Sequence, residues 1–203
     1  MKAGVLFSGG KDSSLAAIML SRDYEVELNT FIFGPARDLT SVERAAGSLG
    51  FPHKMRLFET GLLDRAIDMI IACGYPNDAI NMIHREAIDM LCGEYSVVAD
   101  GTRLNDRVPM LGRGEVQALW DTRRCSYVRP LLGFGKAEVS RLAEKLLVVE
   151  YGETGTIGNG DYERELREAM ASRGLDYRNF FPGHHSQSLV LSKSEKREGE
   201  KNE

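Results

Sequence analysis

The chain has 203 residues, 42% of them apolar and 28% charged, which is enough for one domain with a substantial core. Its apolar runs are a few residues long, far short of the roughly 20 that a membrane-crossing helix needs. The formal net charge of −4 gives no global attraction to nucleic acid or to an anionic membrane surface.

Residues 2–7 read as a short buried strand that runs straight into the turn SGGKDSS. With no cleavage pattern of a signal peptide there, the expected location is the cytoplasm. A helix starts near Lys11, with Leu15, Ile18, Met19 and Leu20 as its apolar face. Residues 26–33 read as a second strand ending at Gly34-Pro35, 41–49 as a helix stopped by Gly50 and Pro52, and 54–58 as a third strand. Two amphipathic helices follow at 61–73 and 77–93, and their apolar faces either bury within the chain, the simpler reading, or serve a dimer. Then come a buried strand at 95–99, a helix at 114–123, a strand at 127–132 and a helix at 136–147. A glycine-rich loop at 152–160 with the character of a mobile lid leads to a charged helix at 161–173, and 185–191 closes as a strand or an extended segment.

Strands alternating with helices across short loops predict an α/β fold: a Rossmann-like, mostly parallel sheet with helices on both faces. Residues 1–191 are expected to form one domain. Residues 192–203, SKSEKREGEKNE, are too poor in apolar side chains to offset the entropy of ordering and read as a disordered charged tail.

Three cysteines, Cys73, Cys92 and Cys125, lie far apart with no CxxC pair, which argues against a disulfide framework. Cys73 and Cys92 fall on apolar helical faces and read as core residues. Cys125, beside Arg123 and Arg124, has the best setting for a lowered thiol pKa. His184-His185 reads as a surface pair rather than a metal site.

The stretch after the first strand carries the chemistry. In Ser8-Gly9-Gly10-Lys11-Asp12-Ser13-Ser14, two glycines permit a tight turn and a close approach to a ligand. Backbone N–H groups and a helix start add partial positive charge, Ser8, Ser13 and Ser14 add hydroxyl donors, and Lys11 adds a cation. Asp12 would repel phosphate unless it holds Mg²⁺ bridging to phosphate oxygens. Neither GxxxxGK[ST] nor GxGxxG occurs, so this is not a Walker A loop or a dinucleotide fingerprint. The competing reading is a strand-to-helix turn in which Ser and Asp only cap the helix.

Asp100, Gly101, Thr102 and Asp106 lie past another strand, at the carboxyl end where such sheets bind ligands. Arg103, Arg107, Arg129 and Lys136 are candidates to clamp polyphosphate, and Arg129 and Lys136 to stabilise the charge on departing pyrophosphate. Residues 103–136 carry seven Arg or Lys against three acids, a local basic bias.

The run Leu6–Ser13 resembles the SGGxDS signature of the PP-loop, or adenine nucleotide alpha hydrolase-like, superfamily. The resemblance implies a Rossmann-like parallel sheet that binds ATP and cleaves it between the α- and β-phosphates, leaving an adenylylated substrate. Asp100-Gly101-Thr102 with Asn105-Asp106, then Arg129-Pro130-Leu131-Leu132 and Lys136-Ala137-Glu138-Val139, resembles the pattern DGTxxDD…SPLxxxxKxEV. That pattern belongs to the sulfur-inserting branch that matures the lactate racemase cofactor, near the tRNA thiolation enzymes. Where that branch can carry a sulfur-donating cysteine, residues 148–161 have none.

The implied site holds ATP on Ser8, Gly9, Gly10, Lys11, Asp12, Ser13, Ser14, Asp100, Gly101 and Thr102. Lys11, Asp12, Arg129 and Lys136 are its catalytic candidates, and Asp12 and Asp106 its Mg²⁺ ligands. The acceptor is a tRNA base or a small carboxylate or cofactor precursor, activated for sulfur or amido transfer. The alternative is a regulatory protein of the same fold that binds ATP or AMP without turnover.

Overall fold

The computed structural model describes residues 1–194. Five parallel strands form the central sheet: β1 (Lys2–Leu6), β2 (Glu25–Ile32), β3 (His53–Leu57), β4 (Val97–Ala99) and β5 (Ser126–Val128), in the order β3-β2-β1-β4-β5. β1 pairs with β2 through Ala3↔Val26 and with β4 through Ala3↔Val97. The chain winds outward from β1 through α1 (Lys11–Leu20) and α2 (Thr40–Leu49). It then crosses back through α3 (Leu62–Cys73) and α4 (Asn77–Cys92) to the other side of β1. This reversal makes the gap between β1 and β4 the switch point of the sheet, where loops diverge and leave room for a ligand.

Alternation along the strands explains the two faces. Leu6, Phe31, Val98 and Tyr127 pack on one face against Leu62, Ile67 and Ile70 of α3 and Ile83, Ile88 and Leu91 of α4. Their neighbours Val5, Phe7, Ile32 and Ala99 point to the other face, against Ala17 and Leu20 of α1 and Val42, Ala45 and Leu49 of α2. The apolar faces of α3 and α4 are thus buried within the chain. The expected α/β sheet with helices on both sides is what the chain forms.

Beyond α5 (Arg113–Arg123) and α6 (Lys136–Leu146), the chain forms β6 (Leu147–Glu153), α7 (Tyr162–Ser172), a single 3₁₀ turn at Tyr177–Asn179, and β7 (Ser186–Lys193). β6 and β7 pair antiparallel as a separate two-stranded sheet. Leu189 and Val190 of β7 join the α1–α2 face of the core. Part of the expected glycine-rich loop is therefore strand, because Val148, Val149 and Tyr151 favour extended backbone. Its far half is packed down: Ile157 and Asn159 are buried and the Gly160 N–H donates to Ser8 O at 2.8 Å. β7 runs two residues into the segment expected as a tail, and residues 195–203 lie outside the described residues.

Three expectations need correction. Cys92 and Cys125 form a disulfide. Cys92 ends α4 just before β4 and Cys125 precedes β5, and because β4 and β5 are adjacent parallel strands their entrances lie side by side. Cys73 is exposed rather than in the core. The strand expected at 127–132 stops at Val128, since Pro130 has no N–H to continue a ladder. No helix among the described residues is long and apolar enough to cross a membrane.

Candidate functional site

The loop leaves β1 with Phe7 N–H still donating to Asn29 O at 2.8 Å. Gly9 takes φ +78°, a conformation that side chains disfavour, and Gly10 is extended at the N-cap of α1. Being glycine, Gly10 has no side chain to cap the helix start. The Ser13 and Ser14 hydroxyls instead donate back to Gly10 O at 3.1 and 2.8 Å, and Gly10 N–H donates to Ser8 Oγ at 3.3 Å. Ser14 is fully buried and serves the loop's shape. Ser8, Gly10, Lys11, Asp12 and Ser13 line a cleft of about 600 Å³.

The turn after β4 locks onto this loop. A Cβ on Gly101 would sit 2.6 Å from both Asp12 C and Ser13 N, so only glycine lets the two segments touch. Asp100 beside it is buried and does not reach the cleft. Its Oδ1 accepts the Thr102 N–H at 2.9 Å, and its Oδ2 takes His84 Nε2 at 2.6 Å and the Tyr127 hydroxyl. Burial works to raise the Asp100 pKa, but these donors outweigh it and the pKa is lowered. Burial and the Asp100 charge raise that of Tyr127. Thr102 is buried as well.

Three cations, Lys11, Arg103 and Lys136, line the cleft beside the loop. Lys11 is 6% exposed, and its Nζ is 2.8 Å from Asp12 Oδ1. Arg103 approaches Asp12 Oδ2 at 3.6 Å and binds Asp106, which accepts the Arg103 N–H at 2.8 Å and the guanidinium at 2.5 Å. Asp106 thus reaches Asp12 through Arg103. Lys136, the first residue of α6, also lines the cleft. Arg129 does not: its guanidinium donates to Leu111 O at 3.1 Å and lies 5.3 Å from the centre of the Tyr127 ring.

The facing wall comes from β6, the approach to α7, and β7: Tyr151, Glu153, Asn159, Asp161, His184, His185, Gln187 and Ser188. β7 touches the loop directly, with Lys11 N–H donating to Ser188 Oγ at 3.1 Å and Val190 N–H to Gly9 O at 2.8 Å. Glu163, buried at the start of α7, takes His185 Nδ1 at 2.5 Å on one oxygen and Arg167 on the other. That hydrogen bond raises the His185 pKa, and burial raises that of Asp161. His184 stays exposed.

Over residues 1–192 the chain matches the model of the family described as "Family of unknown function (DUF7411)". A relative in Methanocaldococcus jannaschii, "Uncharacterized protein MJ0690", is 39% identical over 196 residues, covering 96% of this chain and 98% of its own. The chain belongs to this family. A crystal structure from M. jannaschii described as "predicted subunit of tRNA methyltransferase" superposes on it with a TM-score of 0.88 and 38% identity, covering 97% of this chain and all of the other. A far weaker likeness, TM-score 0.48 at 20% identity over 70% of this chain and 62% of the other, is to the NH3-dependent NAD synthetase of Campylobacter jejuni. The parallel sheet of this chain, with the SGGKDSS loop at its switch point, has the architecture that the PP-loop resemblance implied.

For this member of the family, the structure brings Ser8, Gly10, Lys11, Asp12, Ser13, Arg103 and Lys136 to one cleft. It sets Asp100, Thr102 and Ser14 behind that cleft as supports. The residues that sequence reasoning passed over are Asn159, Asp161, Glu163 and Gln187. No local pattern marks them: Asn159 and Asp161 precede α7 and Glu163 lies within it, and they meet Gln187 and His185 only through the pairing of β6 with β7.

Proposed function

We propose that this chain binds Mg·ATP on the Ser8–Ser14 loop and cleaves it to AMP and pyrophosphate, adenylylating an acceptor for sulfur or amido transfer. The observation that carries this reading is the convergence of Lys11, Arg103 and Lys136 on a helix start that has no side-chain cap, at the switch point of a parallel sheet. An acceptor oxygen attacks the α-phosphorus and a P–O bond forms. The bond to the β-phosphate oxygen breaks, and pyrophosphate leaves with its electron pair. A nucleophile then displaces AMP. The three cations face the charge that grows on the leaving pyrophosphate, and the loop holds the phosphates in line.

Mg²⁺ fits Asp12, the one carboxylate of the loop, whose side chain is 27% exposed and whose oxygens each keep a lone pair beside Lys11 and Arg103. Asp106 is already held by Arg103 and would act by positioning that residue. The metal would supply charge neutralisation at the phosphates. Arg129 would act indirectly, through the segment at Leu111.

A tRNA base is the acceptor we favour over a small carboxylate or cofactor precursor. The basic bias of residues 103–136 supports it, as does the similarity to the M. jannaschii protein described as a predicted subunit of a tRNA methyltransferase. A cytoplasmic location and action as a single domain belong to the same proposal.

The test uses ATP labelled at the α-phosphate, Mg²⁺, tRNA and a pool of small molecules, with Asp12→Ala as the control. Labelled AMP that falls at least about a hundredfold in Asp12→Ala, with circular dichroism unchanged, is the expected result. ADP as product, or an equally active Asp12→Ala protein, defeats the assignment. If tRNA is the acceptor, its binding weakens steeply with salt.

A further inference from the structure

No residue of α5 is buried. One side of the helix rests on the core through the half-buried Val116 and Leu119, and Glu115 and Arg123 pair across to Arg85 and Asp89 of α4. Arg113, Gln117 and Trp120, spaced by four and three residues, stand one above another on a different side and are exposed, as is Arg124 four residues further on. The helix starts at the cleft end of the sheet, for Arg129, just beyond β5, donates to Leu111 O two residues before α5 begins. From there it runs back over roughly 16 Å to the entrance of β5.

An ordinary solvated helix face differs from this one in two respects. On α6 and α7 the arginines sit one turn from an acid, Arg141 with Glu138, Arg164 with Glu168 and Arg167 with Glu163. Arg113 and Arg124 have no carboxylate partner among the described residues, and the acids near them are engaged elsewhere. Glu115 takes Arg85 and the Gly112 N–H, Asp89 takes Arg123, and Asp121 takes the Gln117 amide. The second difference is Trp120, the chain's single tryptophan, which is 47% exposed with the Arg124 guanidinium 5.7 Å from its ring centre. Arg124 reaches it from a C-cap position at φ 53°, where glycine or asparagine is usual. A broad aromatic ring between two unpaired guanidinium groups offers stacking and phosphate contacts side by side, and nucleic acid with unpaired bases carries both partners. An acidic peptide would satisfy the arginines and leave the indole unused.

We infer that the Arg113–Trp120–Arg124 side of α5 docks RNA, with an unpaired base stacked on Trp120 and phosphates held by Arg113 and Arg124. The inference rests on the reading that tRNA is the acceptor, and adds where the body of that RNA lies: along α5, outside the edge strand β5, while the reacting base enters the cleft. A regular duplex keeps its bases stacked inside and offers this surface phosphates alone, whereas a loop or an unpaired end of tRNA offers phosphates and a free base together. Neither ATP nor the Ser8–Ser14 loop takes part, so the surface is testable without turnover.

Because Trp120 is the single tryptophan, the tryptophan emission of the full chain reports on this position alone. The experiment titrates the full chain with unfractionated tRNA, without nucleotide, and compares a blunt RNA duplex and polyglutamate. We expect tRNA to bind saturably and quench the emission, the duplex to bind without quenching it, and polyglutamate to do neither. With labelled tRNA, Trp120→Ala should weaken binding at least about fivefold, and Trp120→Phe should recover most of that loss because its ring still stacks. Arg113→Ala and Arg124→Ala should each lower the slope of log affinity against log salt by about one. Trp120→Ala should keep its circular dichroism and its ATP affinity, since no residue of α5 is buried and none lines the cleft. Saturable tRNA binding that neither quenches the emission nor weakens in Trp120→Ala overturns this inference and leaves tRNA standing as the acceptor. Quenching by polyglutamate in place of tRNA overturns it too, and gives the face to an acidic protein. If tRNA does not bind saturably, the docking surface and the tRNA acceptor fall together, while Asp12-dependent AMP formation with small molecules would still stand.

Discussion

On one side of the cleft, the Ser8–Ser14 loop and the Asp100–Thr102 turn hold each other through main-chain contact over a buried polar group: Gly101 against Asp12 and Ser13, and Asp100 against His84 and Tyr127. On the other side, β6, the approach to α7 and β7 present charged side chains that hold one another, with His185 half-exposed and Glu153 exposed. The first wall is set by backbone geometry that a single Cβ would disrupt. The second is set by side-chain pairs that run from the buried Glu163–Arg167 pair to the half-exposed His185. A wall of the first kind suits a ligand common to many enzymes, such as a polyphosphate. The second wall meets the loop through hydrogen bonds from Lys11 N–H to Ser188, from Val190 N–H to Gly9 and from Gly160 N–H to Ser8. That contrast can be broken at three places.

The largest effect is expected at His84. Removing it leaves Asp100 buried with one fewer donor, and breaking a buried pair of this type costs about 3–5 kcal/mol. His84→Ala should lose about that much in urea unfolding. The pH dependence has a defined sign. The folded-state pKa of Asp100 lies below the ordinary aspartate value of 3.8, so its stabilisation is complete above that value and is lost as pH falls through the lower folded value. Without His84 the depression shrinks, and the acid-unfolding midpoint followed by circular dichroism moves to higher pH. A loss under 1 kcal/mol with an unmoved midpoint would make Asp100 a bystander. His185→Ala on the facing wall should cost less than His84→Ala, because His185 is half-exposed and Glu163 keeps Arg167 as a partner.

Gly101 comes next. In Gly101→Ala the new Cβ meets the backbone of Asp12 and Ser13 at 2.6 Å, and backbone cannot swing aside as a side-chain tip can. Overpacking of this kind costs about 1–3 kcal/mol, and the shift displaces Asp12 itself. Both urea stability and ATP affinity, measured by calorimetry, should fall, the latter at least tenfold. Unchanged ATP binding in a folded Gly101→Ala protein would show that the loop does not depend on the turn after β4.

The same contrast decides what could be read in the sequence. The first wall was legible because its parts are consecutive: strand, two glycines, Lys11, Asp12 and helix occur within a dozen residues, and strand-to-helix periodicity is local. The parallel sheet followed from the same alternation. The facing wall was not legible, because Asn159 and Gln187, or Glu163 and His185, meet only once β6 and β7 pair antiparallel. Periodicity carries no information about which distant strands pair. The Cys92–Cys125 bond was missed for the same reason, its partners being 33 residues apart. Asp100 was placed correctly after its strand, but whether a carboxylate turns outward to a ligand or inward to a histidine sixteen residues upstream is a matter of packing.

The smallest effect is expected where the two walls touch. Ser188 of β7 accepts the Lys11 N–H at 3.1 Å, one residue from the loop's two glycines. Ser188→Ala leaves that N–H without its partner while β7 stays attached through Val190 N–H to Gly9 O. A single hydrogen bond of this sort is worth about 0.5–1.5 kcal/mol, which in a chain of this size lowers the melting temperature by about 2–4 °C for each kcal/mol. ATP affinity should drop by less than about tenfold, since Lys11 Nζ and Asp12 keep their places. A melting temperature unchanged by Ser188→Ala would mean that β7 lies beside the loop without bracing it. The two walls would then be independent, and changes made in β7 would leave the Ser8–Ser14 loop untouched.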